Sequence, residues 1–144
     1  MEKKSFLAIA IAIAALSAKA QDLKPKDVPA GVKTEFMKKY PESATAKVSW
    51  EKEKGNYEAN WGGKSGEDTS VQFTPAGVFV EEADAIPVSQ LPANVASYIK
   101  AHYNGAKIRE ASKVTDATGH KMLEAEIKGA DLLFDEKGTF IKKD

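Results

Sequence analysis

Apolar residues recur every four positions at Val28, Val32, Phe36 and Tyr40, and again at Leu91, Val95, Ile99 and Tyr103. Residues at this spacing share one side of a helix, so each run predicts an amphipathic helix. Pro29 and Pro92 stand where those helices begin, a position that has no use for the missing N–H. Pro41 ends the first, and Asn104-Gly105 ends the second. Lys33, Lys38, Lys39 and Lys100 fall off the apolar stripe and are expected in solvent.

After each helix the period drops to two. Ala46, Val48 and Trp50 alternate with Lys47, Ser49 and Glu51, and Tyr57, Ala59 and Trp61 alternate with Glu58 and Asn60. Lys54-Gly55-Asn56 supplies a turn between these strands. Residues 62–68 read as a glycine-rich loop. Val71 and Phe73 open a third strand, Pro75-Ala76-Gly77 turns it, and residues 78–82 form a fourth. The second half predicts strands over 108–115, 122–127, 132–135 and 139–142.

The two halves match in residues as well as in rhythm. Val28-Pro29-Ala30-Gly31-Val32 pairs with Leu91-Pro92-Ala93-Asn94-Val95, and Tyr57-Glu58-Ala59-Asn60-Trp61 with Leu123-Glu124-Ala125-Glu126-Ile127. Val71, Phe73, Gly77, Phe79 and Val80 pair with Leu132, Phe134, Gly138, Phe140 and Ile141. A repeat of this kind sets the fold expectation before any motif is sought. That expectation is an α+β tandem repeat, each unit one helix packed on a roughly four-stranded antiparallel sheet. The first unit spans 21–82 and the second 91–144, joined by an extended connector over 83–90. A helix laid across one face of each sheet leaves the opposite face solvated.

Residues 1–20 read as an export signal. Lys3 and Lys4 precede an uncharged apolar run over 6–16, and Ala18-Lys19-Ala20 places small residues where a signal peptidase reads them, with the cut before Gln21. The run is about a dozen residues, whereas a membrane span needs roughly 20. No second apolar stretch follows, so no membrane span is expected, and the location expected is periplasmic or secreted. The chain has no cysteine, which excludes disulfides, thiolate zinc sites and a lipid anchor on a terminal cysteine. Removing Lys3, Lys4, Lys19 and Glu2 leaves 18 basic against 20 acidic residues. Without a basic block the chain offers nothing to a nucleic-acid backbone.

Together these segments carry a family likeness. Val28-Pro29-Ala30-x-Val32, Lys38-Lys39-Tyr40-Pro41, Trp50-Glu51 and Asn56-Tyr57-Glu58-Ala59 resemble the PepSY-like, β-lactamase-inhibitor-like family of exported bacterial proteins. So do Ile86-Pro87-Val88-Ser89-x-Leu91-Pro92 and Phe134-Asp135-x-x-Gly138. The resemblance covers about residues 28–144. It implies a tandem α+β repeat like that of the β-lactamase inhibitor protein, in which the sheet forms a platform for the target enzyme. It transfers no catalytic or binding residue, since the shared motifs are those that build helix and sheet.

Candidate chemistry is sparse. Gly63-Lys64-Ser65 lacks the glycine that a phosphate loop needs five residues earlier, where Glu58 stands, and no helix follows it. His102 and His120, the only histidines, sit on different elements without ligand-spaced partners, so no metal site and no cofactor is expected. Glu58 and Glu124 occupy the same slot in the two halves, but a solvated sheet face gives no cleft to split their pKa values. Trp50, Tyr57 and Trp61 fall on one side of a hairpin and are expected to pack under the first helix.

No catalytic set is read, so the chain is expected not to be an enzyme. It is expected to be an exported binding or inhibitor-like module that offers an antiparallel sheet face to a protein or peptide of the cell envelope. The face expected to carry contacts comprises Lys47, Ser49, Glu51, Glu58, Asn60 and Gln72, with Arg109, Glu124, Glu126 and Leu133 from the second half. Leu133 stands where the first half has polar Gln72, which makes it a candidate anchor. The alternative is a small-ligand or divalent-ion binding protein using Glu67, Asp68 and the repeated Glu58/Glu124. Calcium wants six or more oxygens from a shaped loop, more than residues 62–68 supply.

Overall fold

The computed structural model describes residues 20–144. The export signal expected over residues 1–20 lies, apart from Ala20, outside them. The stripes form helices where the spacing places them, α1 at Ala30–Lys39 and α2 at Ala93–His102. Pro29 and Pro92 occupy the capping position of each, and the amides of Tyr40 and Tyr103 close the last turns on the carbonyls of Phe36 and Ile99.

Nine strands follow in chain order. β1 is Gln21–Leu23, β2 Ser49–Glu53, β3 Asn56–Trp61, β4 Thr69–Phe73 and β5 Phe79–Ile86. The second half contributes β6 at Glu110–Asp116, β7 at Lys121–Ile127, β8 at Ala130–Asp135 and β9 at Phe140–Lys143. Every neighbouring pair is antiparallel, and the order in space is the order in sequence.

This corrects the expectation of helix-on-four-strand units in tandem. The α+β class holds, but the strands form one continuous nine-stranded sheet. The join is made by β5, which runs on past Glu82 to Ile86 and pairs residues 81–86 with residues 111–116 of β6. Ala83, Asp84 and Ala85 carry no large apolar side chain, so the period-two signal dies out before the strand does. Two separate sheets would each leave an unpaired edge at the junction, and merging them satisfies both rows of backbone groups. β1, which no periodicity announces, adds to the far edge by pairing with residues 50–52.

Two cores lie between the helices and one face of the sheet. Val28, Val32, Phe36 and Tyr40 pack on Trp50, Ala59, Trp61, Val71 and Phe73. Val95 and Ile99 pack on Leu123, Ala125, Ile127, Leu132 and Phe134. The Phe36 ring meets Trp50 and Trp61 edge-on at 5.1 and 5.2 Å between centroids. The aromatics Trp50, Tyr57 and Trp61 thus sit on the side of α1.

Matching bulges shape the two ends. The ladder shifts between Gln72 and Phe73 against β5, and between Leu133 and Phe134 against β9. The turn before each bulged strand carries a glycine at φ 82° or 85°, Gly77 and Gly138. A β-carbon on Gly77 would stand 3.1 Å from the carbonyl oxygen of Gly31 in α1. Gly77→Ala therefore meets both a left-handed backbone and a backbone neighbour that gives way only if α1 moves. It is expected to cost roughly 1–3 kcal/mol, read as a lowered midpoint in urea. An unchanged midpoint would show that the turn does not press on α1.

Candidate binding face of the sheet

Antiparallel partners project to the same side, so the registers define the face away from the helices. One row across the sheet runs Ser49, Asn60, Ser70, Ala83, Val114 and Met122. A second runs Asp22, Glu51, Glu58, Gln72 and Glu81. A third runs Ala85, Ser112, Glu124, Leu133 and Lys142. A fourth holds Glu110, Glu126 and Asp131. The face is polar and acidic, with an apolar patch of Ala83, Val114, Met122 and Leu133 at its middle.

Eight of the ten residues singled out from sequence lie in these rows: Ser49, Glu51, Glu58, Asn60, Gln72, Glu124, Glu126 and Leu133. Lys47 lies outside, exposed two residues before β2. Arg109 also lies outside, exposed just before β6; its amide donates to the carbonyl of Glu126 at 2.8 Å, and its charge favours the ionised Glu126. Sequence reasoning missed Ala83, Glu81, Ser112, Val114 and Met122. The β4–β5 register sets Glu81 beside Gln72 and Ala83 beside Ser70, the β5–β6 register sets Ala83 beside Val114, and no motif in the chain announces these pairings.

The solvated face expected from sequence is not what the structure shows. In the whole 144-residue chain Glu58, Gln72 and Glu124 are 2%, 1% and 3% exposed, and Leu133 is fully buried. The anchor role expected of Leu133 required an exposed side chain; instead it clusters with Ala83, Val114 and Met122.

Burial sets the chemistry of the carboxylates. Glu58 accepts a hydrogen bond from Gln72 Nε2 at 3.2 Å. Its carboxyl is nonetheless pushed up to about 8, chiefly by burial, with Glu53 and Glu51 adding to the rise and the hydrogen bonds of Gln72 and Asn60 opposing it. Glu124 is raised well above the usual carboxylate range by burial first and then by Asp131, Glu81, Asp144 and Glu126. Glu51, Glu110, Glu126 and Asp131 are raised in the same sense and for the same leading cause. The Ser70 hydroxyl donates to Asn60 Oδ1, and Ser112 Oγ lies at the limit of bonding, 3.5 Å from Glu124 Oε1. Gln72 Oε1 and Glu124 Oε2 have no donor among the described residues.

The remaining chemistry is scattered. Gly63-Lys64-Ser65 lies in the loop between β3 and β4 with no helix after it. His102 stacks on Tyr98 with centroids 4.1 Å apart, while His120 sits in the turn capped by Asp116. Among the described residues, no group of three or more His, Asp or Glu side chains converges as a metal site. No helix among them is long and apolar enough to cross a membrane. Two clefts of about 360 Å³ flank the β5–β6 join, one bordered by Asp84, Lys113, Lys121 and Glu136, the other by Glu67, Asp68, Pro87 and Arg109.

A family model described as "Putative beta-lactamase-inhibitor-like, PepSY-like" matches twice, over residues 14–79 and 55–142. The chain belongs to this PepSY-like family. Among solved structures, it is similar to one from Bacteroides eggerthii described as a "putative periplasmic" protein. The two are 22% identical, with a TM-score of 0.63, covering 81% of this chain and 88% of that one. It is also similar to a BLIP-like protein from Bacteroides fragilis at 18% identity and a TM-score of 0.54, covering 85% of this chain and 86% of that one. At these identities the likeness is one of fold. No functionally curated protein matches the sequence.

Proposed function

We propose that this PepSY-like protein is an exported, periplasmic binding module, not an enzyme, that presents the helix-free face of its sheet to a protein or peptide. The observation that carries the reading is the sidedness of the sheet. α1 and α2 draw their cores from one face, while the other groups an apolar patch with polar side chains along four cross-strand rows. Polar groups spread along rows of a sheet suit a polypeptide partner better than a small molecule, which favours an enclosed pocket. The expected export signal, the periplasmic description of a structural neighbour and the BLIP-like description of another support the same reading.

The face can be tested by position. A photo-cross-linking amino acid would be placed at Ser49 or Glu126 on the open face, and at Lys33 or Lys100 on the exposed side of the helices. In a periplasmic extract, adducts to one partner are expected from the first pair and not the second. Adducts from the helix side alone would overturn the assignment.

A further inference from the structure

Removal of the export signal expected over residues 1–20 makes Gln21 the amino terminus, and Gln21 is also the first residue of β1. β1 lies at one end of the strand order, so β2 alone pairs with it. The register sets Gln21 opposite Lys52, Asp22 opposite Glu51 and Leu23 opposite Trp50. Gln21 is exposed, and among the described residues its carboxamide has no hydrogen-bond partner. The new chain end is therefore held in place by the sheet, while the side chain of its first residue is free to turn.

A terminal glutamine carries its own electrophile. The α-amine reaches the side-chain carbonyl carbon through a five-membered ring, so the attack is intramolecular and needs no co-reactant. An α-amine has a pKa of about 8, which leaves roughly a tenth of it unprotonated and nucleophilic at neutral pH. The nitrogen bonds to Cδ, the bond from Cδ to the amide nitrogen breaks, and ammonia leaves with the displaced proton. The product is a lactam without the terminal charge and without a primary amine. Before the signal is cut, the same nitrogen belongs to a peptide bond and cannot attack.

We propose that Gln21 of the exported protein closes to a pyroglutamyl residue, and that this lactam protects β1 from trimming. The proposal rests on the export reading above and on the cut before Gln21. The protective role follows from what β1 covers. Leu23 is partly buried against the first core and stands opposite Trp50, which is 6% exposed. An aminopeptidase starts from a free α-amine and stops where the next bond is to proline, whose ring removes the N–H and fixes the backbone. From a free end it would remove Gln21, Asp22 and Leu23 and halt at Lys24-Pro25, which deletes β1 and no more.

The test uses the full chain with its own export signal, produced in a Gram-negative host, recovered from the periplasm and held for several days at neutral pH. Mass spectrometry of the N-terminal peptide is expected to find Gln21 first and lighter by about 17 Da, one ammonia. Gln21→Ala is expected to keep its amine and its full mass. A broad-specificity aminopeptidase is expected to leave the parent whole and to shorten Gln21→Ala by the residues of β1, with tryptophan emission moving to the red as Trp50 meets water. Gln21 first at full mass would overturn the inference and leave the export reading standing. A first residue other than Gln21 would remove the cut and the inference together. Equal trimming or equal resistance of the two proteins would overturn the protective role.

Discussion

Phe36→Ala is expected to destabilise the protein by about 3–5 kcal/mol, the usual range for emptying a buried aromatic site. The ring is 2% exposed and lies within 6.4 Å, centroid to centroid, of Tyr40, Trp50, Trp61 and Phe73. Those neighbours are the residue that caps α1 and residues of three different strands, so no single shift refills the space. The melting temperature is expected to fall by roughly 10–20 °C for a chain of this size. Ile99 fills the matching slot under α2, and Ile99→Ala is expected to cost less, about 2–4 kcal/mol, because a smaller side chain leaves. Because β5 and β6 join the halves, each variant is expected to unfold in one transition seen alike by tryptophan fluorescence and circular dichroism. The tryptophans report only the first half, at Trp50 and Trp61, so the comparison is informative. Two separated transitions in Ile99→Ala would contradict a single cooperative sheet.

The second large effect is on pH. Glu58 and Glu124 are both held above the ordinary carboxylate range, Glu58 at about 8. An unfolded glutamate ionises near 4.3. Between these values the folded protein keeps a proton that the unfolded chain has released. Stability is therefore greatest below the unfolded value and is lost as pH rises toward the folded one. The groups responsible around Glu58 are Glu51 and Glu53, opposed by Gln72 and Asn60; around Glu124 they are Asp131, Glu81, Asp144 and Glu126, with Ser112 at its other oxygen. Glutamine has no proton to lose. Glu58→Gln is expected to match the parent near pH 4.5 and to exceed it by of order 3 kcal/mol at pH 9. Glu124→Gln is expected to move in the same direction. Urea midpoints across this range decide the matter, and a difference that stays constant with pH would mean that the carboxyl is not held neutral by the fold.

Much of the architecture is legible in the residues, for reasons that are local. The four-residue stripes give α1 and α2 because helix geometry alone puts those positions on one side, and Pro29 and Pro92 mark the starts. The alternation from Val48 to Trp61 gives β2 and β3 with their tryptophans under α1, because a strand's period is two. Lys54 and Gly55, both at positive φ, make the two-residue turn that the sequence announces. The far end of β5 is not legible in this way. Ala83 and Ala85 have too little apolar surface to declare a face, and the strand exists because β4 and β6 bond it on both sides.

The candidate face divides along the same line. That Glu58 and Gln72, or Glu124 and Leu133, could share a side follows from parity within each strand. That Glu81 stands beside Gln72, that Val114 and Met122 meet Ala83 and Leu133, and that Glu58 and Glu124 lose their water does not. Each strand's own pattern fixes which residues point the same way, because side-chain direction is a property of one strand. Which strands become neighbours, and how much solvent is left between their side chains, depends on long-range hydrogen bonding. The sequence by itself therefore determined the helices, most strands and their inward faces, and tertiary structure alone decided the single continuous sheet and the buried acidic surface across it.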